Sequence, residues 1–346
     1  MRVRRILPPR VVVVDGYYGP YLHEAHPFDR WLWGLPVSVS RAAARYGALR
    51  GVLLFIASIR APAIALVRQD RGWRTLLLTR ALLGRRRKLI ALQFIAPAPE
   101  PGRLPRLRAK VERWALRRAL RAGHVLTRAE VDLYARRLDL DPGRFAYIPW
   151  YRATAGANPP EYAVDGGLLS AGRAFCDWET LLAATGDLPW PLTVVCSAED
   201  RPRVVGLDPD GRVDVRSEIP VAEYRALLRG AALAVFAMHD GGVSQGQVRL
   251  SDAADAGVPV VVTATASLVD YVMPGVTAVT VPVGDPRALR AAISALMAAP
   301  AGRRELRDRA ARHASAWTSD DYWRAVEALL HGRPPEIPAD PHGQPT

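Results

Sequence analysis

The sequence holds few of the residues that mark secreted, membrane-spanning or metal-binding proteins. Only two of its 346 residues are cysteine, Cys176 and Cys196, which is too few for a disulfide framework and lacks the spacing of a metal site. Such scarcity suits a reducing compartment. No stretch approaches the roughly 18 apolar residues of a membrane-spanning helix, and the basic N-terminus has only a four-valine run before Asp15, unlike a signal peptide. We therefore expect a cytoplasmic protein that binds no metal.

Lysine is also scarce, and the charge is unevenly placed. Only two of the 47 basic residues are lysine, and the net charge of +13 divides into +19 for residues 1–150 and −6 for the remainder. This asymmetry indicates an anionic partner for residues 1–150. Membrane phospholipid is one candidate, contacted peripherally at the inner membrane face, and a merely solvated arginine-rich surface is the alternative. No nucleic-acid-binding motif accompanies the charge, so we expect no nucleic acid partner.

Apolar runs alternate with amphipathic segments along the whole chain, which predicts an α/β fold with parallel sheets. A basic helix is expected over 106–121, with an apolar side that includes Leu107, Val111, Trp114 and Leu116. A linker rich in proline and glycine at 152–162 separates two doubly wound, Rossmann-like domains, 1–151 and 163–317. A helix over 318–332 is expected to pack back on the first domain, and the proline-rich tail 333–346 to be disordered.

The most informative segment is Gly241 to Thr263, GGVSQGQVRLSDAADAGVPVVVT. Ser244 and Gln247 have the S-x-x-Q form of a capping box, which predicts that a helix starts at Ser244. Gly257 is expected to end that helix, and a buried strand follows. A helix N-terminus attracts phosphate, and Asp252 within the helix can accept hydrogen bonds from ribose hydroxyls. The segment therefore predicts a nucleotide site.

Three further sequence elements flank this segment. Two precede it, Gly172-Arg173 after a strand and SEIPVAEYRALL from Ser217, and one follows it, TATASLVDY from Thr263. Together the four resemble the donor-binding half of the glycosyltransferases of family 4, over about 165–300. The resemblance implies the GT-B fold, with two Rossmann-like domains facing a cleft. The family pattern has two glutamates eight residues apart. Here Asp252 stands at the second and Ser244 at the first, as in a subset with S-x-Q.

The resemblance also implies roles for particular residues. Asp252 would bind the donor ribose. Arg173 would face the diphosphate, where a fixed cation stabilises the leaving group. Many members add a lysine soon afterwards, but residues 174–178 contain no cation, and Arg249 is a weak candidate to compensate. The residues expected to bind the donor diphosphate or sugar are Gly172, Arg173, Gly242, Ser244, Gln245 and Gly246.

The first half would then bind the acceptor through the loop after its first strand, DGYYGPYLHEAH. Gly16, Tyr17 and Gly19 are expected on the acceptor side of this loop, and Asp15, His23 and His26 are weak candidates for handling a proton. The alternative interpretation of each candidate, as an ordinary turn or surface residue, is favoured, so the catalytic residues stay undetermined.

The sequence thus predicts a retaining glycosyltransferase that uses a nucleotide-sugar donor as co-substrate, with no metal or other cofactor, and an acceptor that is lipid-linked or anionic. Two alternatives remain. A degenerate, non-catalytic GT-B protein that acts as a partner or scaffold of an active glycosyltransferase fits the serine at 244 and the missing lysine. An NAD enzyme fits poorly, because no G-x-G-x-x-G follows the first strand.

Overall fold

A computed structural model describes residues 12–15, 47–67, 72–84, 87–96, 101–151, 164–312 and 317–338. The chain divides into two compact units, each built on a parallel sheet. The first unit falls within residues 1–148 and also takes in Arg324–Glu336, and the second spans residues 149–323. Among the described residues, no helix combines the length and the apolar character needed to cross a bilayer.

The described part of the first unit alternates strands with helices, as the apolar pattern predicts. Its strands are β1 (Val12–Asp15), β2 (Ile64–Val67), β3 (Leu89–Leu92), β4 (Leu120–Val125) and β5 (Phe145–Tyr147). Its helices are α1 (Gly47–Ala57), α2 (Trp73–Leu83), α3 (Arg103–Ala119) and α4 (Arg128–Leu138). The strands pair in the order β1-β2-β3-β4-β5. Right-handed crossovers between successive parallel strands place their helices on one face of the sheet, and α1, α2 and α3 accordingly pack side by side.

Helix α3 departs from the expectation in two ways. It ends at Ala119 and β4 begins at once, so the predicted end near Arg121 is wrong. The predicted apolar side is also wrong for three of its four residues: Leu107, Val111 and Trp114 are exposed, and only Leu116 is buried. The face that packs on the sheet consists of Leu116 with two small residues, Ala115 and Ala119. A helix with two apolar stripes does not reveal from its sequence which stripe packs.

The second unit contains the remaining strands, β6 (Leu168–Ala171), β7 (Leu192–Cys196), β8 (Val213–Ser217), β9 (Leu233–Phe236), β10 (Val260–Thr263) and β11 (Val279–Val281). Its helices are α5 (Trp178–Thr185), α6 (Arg201–Gly206), α7 (Val221–Arg229), α8 (Gln247–Asp255), α9 (Pro286–Ala298) and α10 (Pro300–Arg312). Helix α11 (Ser319–Leu330) follows and leads into the last segment of the first unit. Helix α6 is short, with six residues.

The order of strands in the second unit locates its site. The sheet runs β11-β10-β9-β6-β7-β8, all parallel, which is the dinucleotide-fold order in which the winding reverses between the first and fourth strands. In such open sheets ligands bind beyond the carboxyl ends of the strands at that reversal. The reversal lies between β6 and β9, so the loops that follow these two strands form the expected site.

Apolar layers cover both faces of this sheet and fix the strand ends. One layer holds Trp178 and Leu181 of α5 with Leu289 and Ile293 of α9. The other holds Phe236, Met238 and Ala253 with Leu268. The strands β6, β9 and β10 are buried throughout. Burial fixes the position of each strand in the sheet, and it therefore fixes the points at which the loops at their carboxyl ends begin.

Candidate functional site

The loops after β6 and β9 are joined directly at the point where the strand order reverses. Cys176 and Met238 form an antiparallel bridge. On either side of it, the His239 backbone N–H donates to Phe175 O at 2.9 Å, and the Asp177 N–H donates to Ala237 O at 3.0 Å. Two loops that are 60 residues apart in sequence therefore behave as one short ribbon at the carboxyl edge of the sheet.

Arg249 of α8 braces the first loop. Its guanidinium donates to Ala171 O at 3.1 Å and to Ala174 O at 3.0 Å, and lies 3.5 Å from Cys176 Sγ. A Cβ on Gly172 would lie 2.5 Å from Arg249 Nη1 and 2.3 Å from Cys176 Sγ, so glycine is required for this approach. The role considered for Arg249, a compensating phosphate cation, is replaced by a bridge across the loop that carries Arg173.

Arg173 itself projects from this loop and is half exposed, as a phosphate-binding cation must be. Its Nη2 lies 2.9 Å from Glu218 Oε2, just after β8, and Glu218 Oε1 accepts from the Ala198 N–H at 3.2 Å. Glu218 has a φ of 52°, a left-handed conformation that is uncommon for a side chain of this kind. Sequence reasoning missed this partner, because a loop carboxylate 45 residues away carries no local signal.

The predicted capping box at Ser244 is wrong. Helix α8 begins at Gln247 and its N-cap is Gly246, with a φ of 86° and no side-chain cap. The Gln247 amide instead donates to Ser267 O at 2.9 Å. A Cβ on Gly246 would meet Met238 Sδ at 2.9 Å, so the entry into the helix requires glycine for its backbone and for its space. The helix ends as predicted, with Gly257 at a φ of 67°.

Ser244 and Gln245 are buried in the loop that leads to α8. The Gln245 Nε2 donates to His239 O, which fixes the assignment of the amide. Its Oε1 is buried and has no hydrogen-bond partner among the residues that the structure describes. Buried acceptors without a partner are rare and costly. A hydroxyl group of a ligand could donate a hydrogen bond to this oxygen.

The segment after β10 supports the same loop from the other side. Thr263 Oγ1 accepts from the Met238 N–H at 2.9 Å, and Ser267 Oγ donates to Gln245 O at 3.3 Å. Asp240 accepts from the N–H groups of Gly242 at 3.0 Å and Ala266 at 3.1 Å. Three of the four sequence elements that carry the family resemblance thus meet in one place, and Glu218 ties the fourth to Arg173.

Asp252 lies on α8, and its carboxyl is held against Tyr224 of α7 by a hydrogen bond. Burial raises the pKa of Asp252 to about 6, Arg225 opposes this rise, and Asp255 adds to it. The group therefore changes protonation close to neutral pH, as functional carboxylates often do. It is able to accept ribose hydroxyls only with the oxygen lone pairs that Tyr224 leaves available.

Three side chains beside the joined loops offer ligand atoms within 4.8 Å of one another: Asp177, Glu179 and His239. Both carboxylates have other partners. Asp177 caps α5 by accepting from the Thr180 N–H at 2.9 Å and the Thr180 hydroxyl at 2.7 Å. Glu179 forms a bidentate pair with Arg203. The cluster is thus explained by helix capping and an ion pair.

The acceptor-side predictions cannot be placed in this way. Gly16, Tyr17, Gly19, His23 and His26 lie outside the described residues, and Asp15 is described only as the last residue of β1. Their expected roles stay predictions. One histidine that sequence reasoning did not single out, His124 on β4, is fully buried, and burial lowers its pKa to about 4. Its Nδ1 accepts from the Gln93 N–H at 3.1 Å, and its Nε2 lies 2.8 Å from Ile148 O.

A comparison with protein families decides what this half of the chain is. Residues 176–299 match the family described as Glycosyl transferases group 1. This part of the second unit is therefore similar to the glycosyl transferases of group 1. The match begins at Cys176, so it contains the loop after β9, helix α8 and Asp252, and it supports a glycosyltransferase. No protein with a curated description matches the chain in sequence.

Solved structures extend the likeness of this glycosyltransferase domain to both units. The sucrose-phosphate synthase from Thermosynechococcus elongatus is 22% identical, with a TM-score of 0.63 over 89% of this chain and 82% of its own. Anabaena HepE in complex with UDP-glucose is 13% identical, with a TM-score of 0.68 over 94% and 100%. A glycosyltransferase from Rickettsia africae is 9% identical, with a TM-score of 0.60 over 94% and 99%. At these identities the likeness shows the fold, which is GT-B.

The predicted fold is therefore confirmed, and so is the resemblance to glycosyltransferases at the level of the group. Membership of family 4 stays a prediction, as do the roles given to Gly172, Arg173, Ser244, Gln245 and Asp252. What the structure adds is their arrangement, with Arg173 and Gln245 on two loops that are bonded together and Asp252 on the helix that follows.

Proposed function

We propose that this protein moves a sugar from a nucleotide-diphosphate sugar to an acceptor hydroxyl, with retention at the anomeric carbon and without a metal ion or other cofactor. The group 1 match and the GT-B fold support transferase chemistry. Solved neighbours bound to UDP, UDP with glucose, and UDP-glucose support a nucleotide-sugar donor.

The observation that carries the proposal is the joined pair of loops at the strand reversal. One loop carries a half-exposed cation, Arg173. The loop bonded to it carries a buried acceptor, Gln245 Oε1, that has no hydrogen-bond partner among the described residues, and it leads into the N-terminal end of α8. A diphosphate needs cations and backbone N–H groups, and a sugar needs buried acceptors for its hydroxyls. The same small region supplies both kinds of group.

Each residue then has a part in the transfer. The bond between the anomeric carbon and the diphosphate oxygen breaks while the acceptor oxygen bonds to the same face, and the acceptor proton passes to the leaving diphosphate. Negative charge grows on the diphosphate, and Arg173 stabilises it once the guanidinium exchanges Glu218 for a phosphate oxygen. Gln245 orients the donor sugar and Asp252 the ribose. Arg249 touches no donor atom in this scheme and acts by holding the loop.

The first unit receives the acceptor in this proposal. Its strong positive charge favours an acceptor that is anionic or lipid-linked and is presented at an anionic inner membrane face. The protein would then contact the membrane peripherally through residues within 1–150, from the cytoplasmic side.

The proposal is tested with nucleoside diphosphates and nucleotide sugars. A matching nucleoside diphosphate should raise the unfolding temperature, because ligands that bind only the folded state stabilise it by mass action. The same donor should be hydrolysed slowly without acceptor. Asp252→Asn should weaken binding, whereas the matched change Asp255→Asn on the same helix should not.

Two results would count against the proposal in different ways. If no nucleoside diphosphate shifts the unfolding temperature and Asp252→Asn changes nothing, the donor site is not where we place it. If donors bind normally but no hydrolysis or transfer occurs with any acceptor, the protein is a non-catalytic GT-B partner or scaffold, the alternative that fits the serine at position 244.

A further inference from the structure

Helix α3 (Arg103–Ala119) carries three separate stripes along its length. One is the small buried face of Ala115, Leu116 and Ala119 that packs in the first unit. The other two lie on the remainder of the helix and follow the three- and four-residue spacing that keeps side chains on one face. An ordinary surface helix has a single apolar face towards the core, so the second apolar stripe needs its own explanation.

The second apolar stripe consists of large side chains in contact with solvent. Leu104 is 59% exposed, Leu107 58%, Val111 43% and Trp114 41%. The stripe continues at its C-terminal end into α2. Arg118 lies over the Trp114 ring and donates to Ala81 O at 2.9 Å, and the next two residues of α2, Leu82 and Leu83, are 66% and 67% exposed. Contiguous exposed apolar surface of this kind marks a binding face.

The third stripe runs beside the second and is entirely basic. It consists of Arg103, Arg106, Lys110, Arg113 and Arg117, with the same alternating three- and four-residue spacing. The helix as a whole has seven basic residues and one acidic residue. Positive charge is dense at its C-terminal end as well, since Arg87 and Arg117 add to partial burial in lowering the pKa of Arg144.

We propose that α3 is a membrane-docking helix that lies in the plane of an anionic bilayer, with Leu104, Leu107, Val111 and Trp114 inserted among the lipids and the basic stripe on the headgroups. Helices with this division of apolar and basic side chains bind in the interface plane, and tryptophan favours that depth. The inference rests on the proposed function and deepens it by naming the helix, and the side chains on it, that would contact the membrane.

A bilayer fits the two stripes better than the other anionic partners. Nucleic acid would satisfy the arginines, but a phosphodiester backbone offers no apolar phase for four large side chains. A second copy of the chain would have to place its own basic stripe close to this one, at a cost in like-charge repulsion. Of these three partners, anionic lipid is the one that supplies negative charge and apolar volume side by side.

Vesicle flotation tests the assignment. The full-length protein should float with vesicles of phosphatidylglycerol and phosphatidylcholine and not with phosphatidylcholine alone. Each basic side chain near an anionic surface contributes about fivefold to partitioning, so Arg106→Gln/Lys110→Gln/Arg113→Gln should weaken binding on the order of 100-fold. Leu107→Gln/Val111→Gln should weaken it at least about tenfold with the charge intact. These positions avoid Arg117, which pairs with Asp139.

A charge-matched control uses exposed arginines of the second unit, Arg229→Gln/Arg287→Gln/Arg304→Gln, and should float like the wild type. The proposal would be overturned if both α3 variants floated with anionic vesicles as well as the wild type does. The proposal would also be overturned if the Leu107/Val111 variant bound vesicles normally but no longer self-associated, which would indicate a second copy of the chain. Binding to duplex DNA that depends on the basic stripe alone would overturn it as well. Hydrolysis of free nucleotide sugar should be the same in all variants, so the membrane inference fails separately from the transferase proposal.

Discussion

Removing the Arg249 brace should impair donor binding without touching the donor. The perturbation is Arg249→Met, which keeps a long apolar side chain over Phe236 but removes both hydrogen bonds to the loop of Arg173. Ala171 is buried and Ala174 is exposed, so water replaces the second bond more readily than the first.

The magnitude follows from these two environments. A carbonyl that loses a charged donor without gaining water costs about 1–3 kcal/mol, and an exposed one costs little. We therefore expect the second unit to lose about 1–2 kcal/mol of unfolding free energy. A loop that must be ordered on binding costs about 1–2 kcal/mol for each backbone residue fixed, so the affinity for a nucleoside diphosphate should fall roughly tenfold.

Calorimetric titration with the nucleoside diphosphate that binds best, together with thermal unfolding, measures both effects. Arg249→Lys separates the two roles considered for this residue. A compensating phosphate cation would be rescued by lysine, whereas one ammonium group does not reproduce a guanidinium that spans two carbonyls. Arg229→Met, at an exposed position of α7, is the matched control. Wild-type affinity in Arg249→Lys would refute the bracing argument, and wild-type stability in Arg249→Met would refute the energetic one.

Three further predictions concern single residues. For His124, the folded pKa of about 4 lies below the ordinary 6.5. Its contribution to the free energy of unfolding is therefore present above pH 6.5 and is lost as the pH falls towards 4. Unfolding measured across that range should show a loss of about 3 kcal/mol, and this loss should be missing in His124→Gln. Gly246→Ala should destabilise the protein by more than the roughly 1–2 kcal/mol of left-handed backbone strain, because Met238 blocks the new Cβ. Gly242→Ala has open space around it and should cost only the strain. Equal losses of stability in thermal melts would contradict the argument that crowding by Met238 matters. Affinity for a nucleotide sugar, whose diphosphate carries no group that titrates in this range, should fall as the pH drops through about 6, where Asp252 is protonated, and this pH dependence should vanish in Asp252→Asn.

Much of the second unit could be predicted from sequence because its strands are buried on both faces. Parallel strands with helices on both sides are continuous apolar runs, and the predicted alternation of such runs with amphipathic helices agrees with the structure. The predicted stop of α8 at Gly257 is also confirmed, since only glycine adopts that backbone cheaply.

The predicted start of α8 is wrong because a capping box is a local sequence pattern, whereas the start of this helix is determined by contacts with residues distant in sequence. Gly246 and Met238 fix the turn, and Ser267 takes the Gln247 amide. A capping box does exist elsewhere, between Thr127 and Glu130 at α4. The Arg249 brace and the Glu218 pair were likewise beyond sequence reasoning, because each joins positions 45 or more residues apart.

The ion pair between Arg173 and Glu218 has a consequence for ligand choice. In the proposed site, the cation assigned to the phosphate already has a carboxylate partner at 2.9 Å, so a phosphate would compete with that internal carboxylate. A singly charged ligand exchanges one such contact for another and gains little. A diphosphate brings several oxygens and more charge, and it therefore profits from the exchange. Because both side chains of the pair are half exposed, it is worth at most about 1 kcal/mol. In the proposed site, Glu218 would therefore weaken the binding of a monoanion modestly and that of a polyanion less.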